Sequence, residues 1–117
     1  LLDGYNTQHG IYEKEGDWRL LAGNWTNLGN ADLHPHVFGG LFNGPSSVLR
    51  VDGTNYPVDA GTEGLDGFSV GVNKNGSRFG SVDIGEILIY PTDKSSEAAV
   101  IESYLANKWG IALSSSL

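Results

Sequence analysis

The stretch from Val82 to Gly110, VDIGEILIYPTDKSSEAAVIESYLANKWG, restricts the fold of this chain more than any other. Within it Ile84, Ile87, Leu88, Ile89 and Tyr90 occupy both parities of an extended chain. A strand that is apolar on both faces is expected to be central and covered on each side. Pro91 cannot continue a paired central strand, so the strand is expected to end there. A polar break over 91–96 then leads into the one convincing helix, over about 95–108. At helical spacing Ala98, Ile101, Tyr104, Leu105 and Trp109 fall on one side and should face the sheet. Thr92, Asp93 and Ser95 are all able to cap its start, and Gly110 suits the left-handed position after its last turn. Lys108 suits the negative end of the helix dipole.

Upstream the pattern changes to short strands between tight turns. Seventeen glycines in 117 residues, about twice the average share, cluster with Asn and Asp. Strands are expected over 11–15, 18–22, 36–42, 47–51, 54–58 and 68–72, with 84–90 as the seventh. Glu15-Gly16-Asp17 should close a first hairpin, and Asp52-Gly53 a second with a type I′ turn. Asn43-Gly44-Pro45-Ser46 is a third turn. Residues 1–10 read as a turn-rich lead-in. Residues 23–35, GNWTNLGNADLHP, read as a long loop or an irregular edge strand. About seven strands at short, regular spacing are sandwich-like.

One core and one module over 1–117 are expected at this length. The chain has no methionine and starts at Leu1, so it is expected to derive from a longer protein. It has no cysteine, hence no disulfide and no thiolate metal site. No apolar run is long enough to span a membrane. Fourteen acidic against seven basic residues give −7, which disfavours nucleic acid and anionic membrane surfaces as partners. An extracellular, cell-surface or virion-surface location is expected.

Several of these segments resemble a known family. Asp83 to Tyr90 (DIGEILIY), followed by a polar loop and Glu97 to Gly110 (EAAVIESYLANKWG), is similar to the closing strand and helix of laminin-G-like domains. These belong to the concanavalin A-like lectin/glucanase superfamily. Phe42-Asn43-Gly44 with Leu49 to Gly53 (LRVDG) resembles their hairpin, and Leu65 to Gly71 (LDGFSVG) the strand after it. The likeness covers about 36–111. It implies an all-β fold, an antiparallel two-sheet jelly-roll sandwich with one C-terminal helix. Complete domains of this type have further strands before the matched part. Residues 1–35 should therefore be a reduced version, or the amino-terminal strands lie outside this chain. A half-sandwich would expose an apolar face and need a partner chain.

The superfamily does not imply one activity, so function rests on particular residues. Some of its glycosidases carry E-x-D-x-x-E on one strand. Here the first glutamate position is Ser81, and Asp83 and Glu86 have opposite parity. The chain is therefore read as no enzyme, with Glu86 either capping backbone donors or pairing with a basic residue near the helix. His34-Pro35-His36 has spacing that suits a transition metal, but His9 is the only other histidine. Asp32, Asp59, Asp66 and Asp83 are oxygen ligands of the kind calcium takes, so the composition is compatible with calcium, but no contiguous D-x-[DN]-x-[DN]-G loop assigns its ligands.

Sugar recognition needs an aromatic ring against the C–H face of a pyranose and polar groups for its hydroxyls. The 23–36 loop holds that mix in Asn24, Trp25, Asn27, Asn30, Asp32 and His34, with Trp25 the leading ring. Asn24, Trp25, Asn27, Asp32 and His34 are the expected ligand-binding set. Trp18 and Trp109 are expected in the core. Two roles follow: a carbohydrate-binding or adhesion module taking a glycan, or a structural module making contacts with other protein subunits, including its own copies, as in a virion decoration or fibre domain.

Overall fold

A computed structural model describes residues 2–4, 9–24, 26, 28, 29, 31–72, 76 and 81–114. These form mostly antiparallel strands with one carboxy-terminal helix. The strands are β1 (Leu2–Gly4), β2 (His9–Lys14), β3 (Asp17–Ala22), β4 (Phe38–Leu41), β5 (Ser47–Val51), β6 (Thr54–Val58) and β7 (Phe68–Val70). The helix is α1 (Ala98–Trp109).

The first hairpin joins β2 to β3, from His9 opposite Ala22 to Lys14 opposite Asp17. Its turn residues Glu15 and Gly16 have φ of 55° and 81°. Two positive φ values give the turn twist that matches paired strands. β3 is the central strand, since every residue from Trp18 to Ala22 is buried. Its second edge is taken by the chain after Gly23. Leu28 N donates to Trp18 O at 3.0 Å, and Ala31 N to Gly16 O at 2.9 Å. Thr26 Oγ1 accepts from Leu20 N at 3.0 Å and donates to Leu20 O at 2.6 Å. The described residues Thr26, Leu28, Gly29 and Ala31 of the expected loop or irregular edge thus bond along the β3 hairpin without forming a strand. At the far end Ala22 N donates to Ala60 O, and Glu63 N to Ala22 O at 2.9 Å.

The second sheet has the order β4-β5-β6, all antiparallel. Pro57 sits on β6, an edge strand, where a missing N–H is tolerated. Asp52 and Gly53 close the β5–β6 turn with φ of 50° and 88°, the expected type I′ geometry. Leu49 faces the hairpin and is fully buried with Leu20, Ile11, Trp18 and Ala22. Phe38, Phe42, Val51, Tyr56 and Val58 pack around that cluster. Gly40 marks the closest approach of the layers: a Cβ there would lie 3.1 Å from Leu20 Cδ1 and 3.2 Å from Phe42 Cε2.

The helix is tied to the opposite face of this sheet. Period-2 alternation turns Arg50 away from Leu49, and its guanidinium binds both carboxylate oxygens of Glu102 on α1, one of them at 2.8 Å. Asn55, opposite Arg50 in register, accepts a further bond from the same guanidinium. A 3₁₀ turn over Ser95–Glu97 precedes α1. Of the three cap candidates it is Asp93 that accepts from Ser95 N, at 2.8 Å, and from its hydroxyl. Gly110 ends the helix with φ 67°, as expected.

Four expectations are corrected. Residues 84–90 are not a buried central strand. They form no strand, and no backbone hydrogen bond joins 81–90 to another described residue. Val82, Ile84, Ile87, Leu88, Ile89 and Tyr90 are all 39–52% exposed. Apolar residues on both parities mean that two covers are needed, and here those covers have gone to β3. Trp109 is likewise 47% exposed rather than core, with its indole against Gly85. Tyr104, placed on the sheet-facing side by spacing, is 48% exposed, while Glu102 and Ala106 are the buried positions. Arg50 recruits Glu102, and this rotates the inward face by about one residue from the apolar stripe. The remaining strand is β1, which pairs with β7 from Leu2 opposite Val70 to Gly4 opposite Phe68, in a segment expected to be loop.

Candidate functional site

The most connected polar cluster lies where the 31–37 segment enters β4. Asp52 occupies the positive-φ turn after β5, and that turn directs its carboxylate back across the sheet. Its Oδ1 accepts from Val37 N at 2.8 Å, and its Oδ2 meets His36 Nδ1 at 2.6 Å. The other ring nitrogen, Nε2, is 2.7 Å from Asp32 Oδ1, which also accepts from His34 N at 2.7 Å. Trp18 and Phe38 flank the imidazole, with ring centroids 5.6 and 5.5 Å away.

Each nitrogen of His36 faces a carboxylate, which only the doubly protonated ring satisfies fully. Burial by itself would lower the imidazole pKa. The hydrogen bonds to Asp52 and Asp32 outweigh it and raise the pKa above its ordinary 6.5. Asp32 is held below its ordinary range, first by the His34 N–H and then by His36. Beside the cluster lies a hollow of about 180 Å³, lined in part by Trp18, Leu28, Asp32, His36, Asp52 and Tyr56. It is smaller than the roughly 300–1,000 Å³ of sites for drug-sized ligands, so it fits one small polar ring or the edge of a larger ligand.

The expected ligand-binding residues divide. Asp32 and His34 come together with His36, and Leu33 between them is fully exposed. Asn24 instead donates to Asp59 Oδ1 at 3.2 Å, and Asp59 also accepts from Gly61 N at 3.0 Å. Trp25, Asn27 and Asn30 lie outside the described residues. His9 is buried with its ring 3.9 Å from Phe42. Among the described residues no group of three or more His, Cys, Asp or Glu is arranged to hold a metal ion. No helix among them is long and apolar enough to cross a membrane.

Glu86 is the second polar centre. Its carboxylate accepts from Lys108 Nζ at 2.9 Å, Tyr104 Oη at 3.1 Å and Trp109 Nε1 at 3.2 Å. It thus pairs with a basic group of the helix, as the sequence suggests. Lys108, followed by Trp109 and Tyr104, holds Glu86 below the usual carboxylate range against its own burial. Lys108 is raised in turn, chiefly by Glu86 and then by Tyr104. Three donors from the carboxy-terminal half of α1 therefore hold the 81–90 segment at Glu86, while Trp109 packs against Gly85 and Lys94 Nζ lies 5.9 Å from the Tyr90 ring centroid. Asp83, three residues before Glu86, is exposed.

The chain matches no family model, no curated protein and no solved structure. Its function therefore rests on its own residues. Two groups central to this geometry carry little sequence signal. Asp52 reads only as a turn residue in Asp-Gly, and Arg50 and Glu102 stand 52 residues apart. The one available hint was a carboxylate bordering the apolar stripe of the helix.

Proposed function

We propose that the chain is a non-catalytic module of an extracellular or particle-surface protein, built on the laminin-G-like, concanavalin A-like jelly-roll plan, and that its task is assembly. One observation carries this: residues 82–90 present six large apolar side chains at 39–52% exposure, beside the half-exposed Tyr104 and Trp109. Isolated apolar residues on a surface are ordinary, but so many large ones exposed along one short segment mark a candidate contact surface. The absence of catalysis is supported by Glu86, whose oxygens are engaged by Lys108, Tyr104 and Trp109. Native mass determination tests the proposal. A defined assembly that Ile87→Lys and Ile89→Lys reduce to monomer is expected, and a monomer at every concentration and with every partner would overturn it.

Glycan recognition is the second reading, favoured by the hollow beside Asp32, where carboxylates meet the rings of Trp18 and Tyr56. In it Asp32 and His34 supply the polar contacts, and Trp25 is the ring proposed to stack on the sugar. A glycan array read with wild type and Trp25→Ala tests this. Binding that Trp25→Ala leaves unchanged would remove the site, and a folded protein with no hits would remove the reading.

A further inference from the structure

We propose that His36 is a proton-operated latch for residues 32–35: the imidazolium holds this segment against the β5–β6 turn, and the neutral ring stays on Asp52 but releases Asp32 and its segment. The latch is a row of three side chains. His36 Nδ1 lies 2.6 Å from Asp52 Oδ2, and Nε2 lies 2.7 Å from Asp32 Oδ1. An ionised carboxylate only accepts hydrogen bonds, and a neutral imidazole has a single N–H. Loss of one proton therefore sets lone pair against lone pair at one of the two contacts, and that contact opens. The two carboxylates differ in how readily they leave. Asp52 Oδ1 accepts from Val37 N at 2.8 Å, the Asp52 N–H donates to Val37 O at 2.9 Å, and its carbonyl accepts from Ser114 N at 2.6 Å. The Asp52 side chain is 21% exposed and Val37 is buried. Moving that carboxylate would strand the Val37 N–H, a buried donor. The Asp32 side chain is 43% exposed, and its bond from His34 N, at 2.7 Å, lies within the same segment and moves with it. The proton therefore leaves from Nε2, and water takes up the Asp32 carboxylate.

The chain on either side permits the movement. Ala31 N donates to Gly16 O at 2.9 Å, and Val37 is bonded to Asp52, so the segment is anchored at both ends. Asp32, Leu33, His34 and Pro35 between these anchors are exposed, so their release gives up little packing. Asp32 also lines the hollow of about 180 Å³, and its departure widens that hollow beside Trp18. The groups facing the ring set the direction of the switch. The β5–β6 turn supplies Asp52, and the ring's own segment supplies Asp32, on which the charge of His34 also acts. From β3 and β4 come the rings of Trp18 and Phe38. Arg19, next to Trp18, pairs with Glu15 and Asp17, and the hollow adds Tyr56 and Ser114. Burial by itself would lower the His36 pKa, and the bonds to Asp52 and Asp32 raise it above its ordinary value. The latch is thus closed below that raised value and opens as pH rises through it.

The test is amide exchange and histidine-ring NMR on the whole chain between about pH 5.5 and about pH 9. Exchange is expressed as protection relative to an unstructured chain at the same pH. Protection at the His34 amide should fall by about tenfold through the His36 titration, the worth of a hydrogen bond to a charged group. The Val37 amide should keep its protection, because Asp52 stays in place. Above the titration the ring should carry its proton on Nδ1. His36→Gln should abolish the pH step. Asp32→Asn is the sharper variant, because an amide accepts from a charged ring's Nε2–H and donates to a neutral Nε2. It should keep the His34 amide protected on both sides of the titration. A pH step retained in either variant, or a neutral ring protonated on Nε2, would overturn the latch. So would equal loss of protection at Val37 and His34, or a His34 amide whose protection does not change as His36 titrates.

Discussion

Glu102→Gln measures the link on which the placement of α1 depends. The Glu102 side chain is 6% exposed and that of Arg50 19%, and the guanidinium engages both carboxylate oxygens. The Glu102 hydrogen bonds hold the Arg50 pKa above its ordinary value, outweighing burial. Exposed pairs contribute about 0–1 kcal/mol, whereas breaking a fully buried pair costs about 3–5 kcal/mol because the remaining charge is stranded. Arg50 retains Asn55 and some contact with water, which puts the expected loss at about 2–3 kcal/mol. With urea slopes of about 1–3 kcal/mol per molar for small proteins, the unfolding midpoint should fall by about 1–2 M. The double variant Arg50→Met/Glu102→Leu should recover at least half of that loss, because a buried pair exchanged for apolar groups of similar size is often neutral. A Glu102→Gln loss under about 0.5 kcal/mol, or single losses that merely add, would show that the pair behaves as a surface contact and that α1 is held elsewhere.

The His36 cluster should give stability a two-sided pH dependence. The raised His36 pKa means that its contribution is complete below about 6.5 and is lost as pH rises through the raised value. Asp32, lowered from 3.8, contributes above that value and loses its effect as pH falls through its lowered pKa. Thermal melts across pH should therefore show a plateau between these limits, with an alkaline fall that His36→Gln removes; an unchanged alkaline limb in the variant would refute the double clasp. Two glycines separate backbone conformation from packing. Gly61→Ala places a Cβ against Ala22 O and 2.8 Å from Asn24 N at φ 93°, and should cost about 3 kcal/mol or more. Gly16→Ala at φ 81° meets nothing within 4 Å and should cost about 1–2 kcal/mol, so equal losses in denaturant titration would refute the close approach at Gly61.

Much of the local structure was legible in the residues. Turn chemistry located Glu15-Gly16 and Asp52-Gly53, since few residues accept positive φ and the primed turns need two in succession. The turns on either side bounded β5 and β6, and Gly110 fixed the helix end. The candidate site was legible in part. Asp32, His34 and His36 are adjacent in sequence and meet in space, but the Asp52 that completes their cluster comes from another turn.

The sequence by itself determined the hairpin turns, the helix and most of the strands from β2 to β7, because those preferences are set by neighbours a few residues apart. It also determined that the run IGEILIY needs cover on both faces. Only the tertiary structure decided that WRLLA, the strand β3, is the segment buried throughout. Cover is finite in a chain of this length: β3 took the hairpin strand, the 26–31 segment and the β4-β5-β6 sheet. Residues 82–90, equally apolar, were left joined to α1 through Glu86 and exposed elsewhere. Pairings such as Arg50 with Glu102 and Asp52 with His36 depend on how layers meet, and no local pattern encodes that.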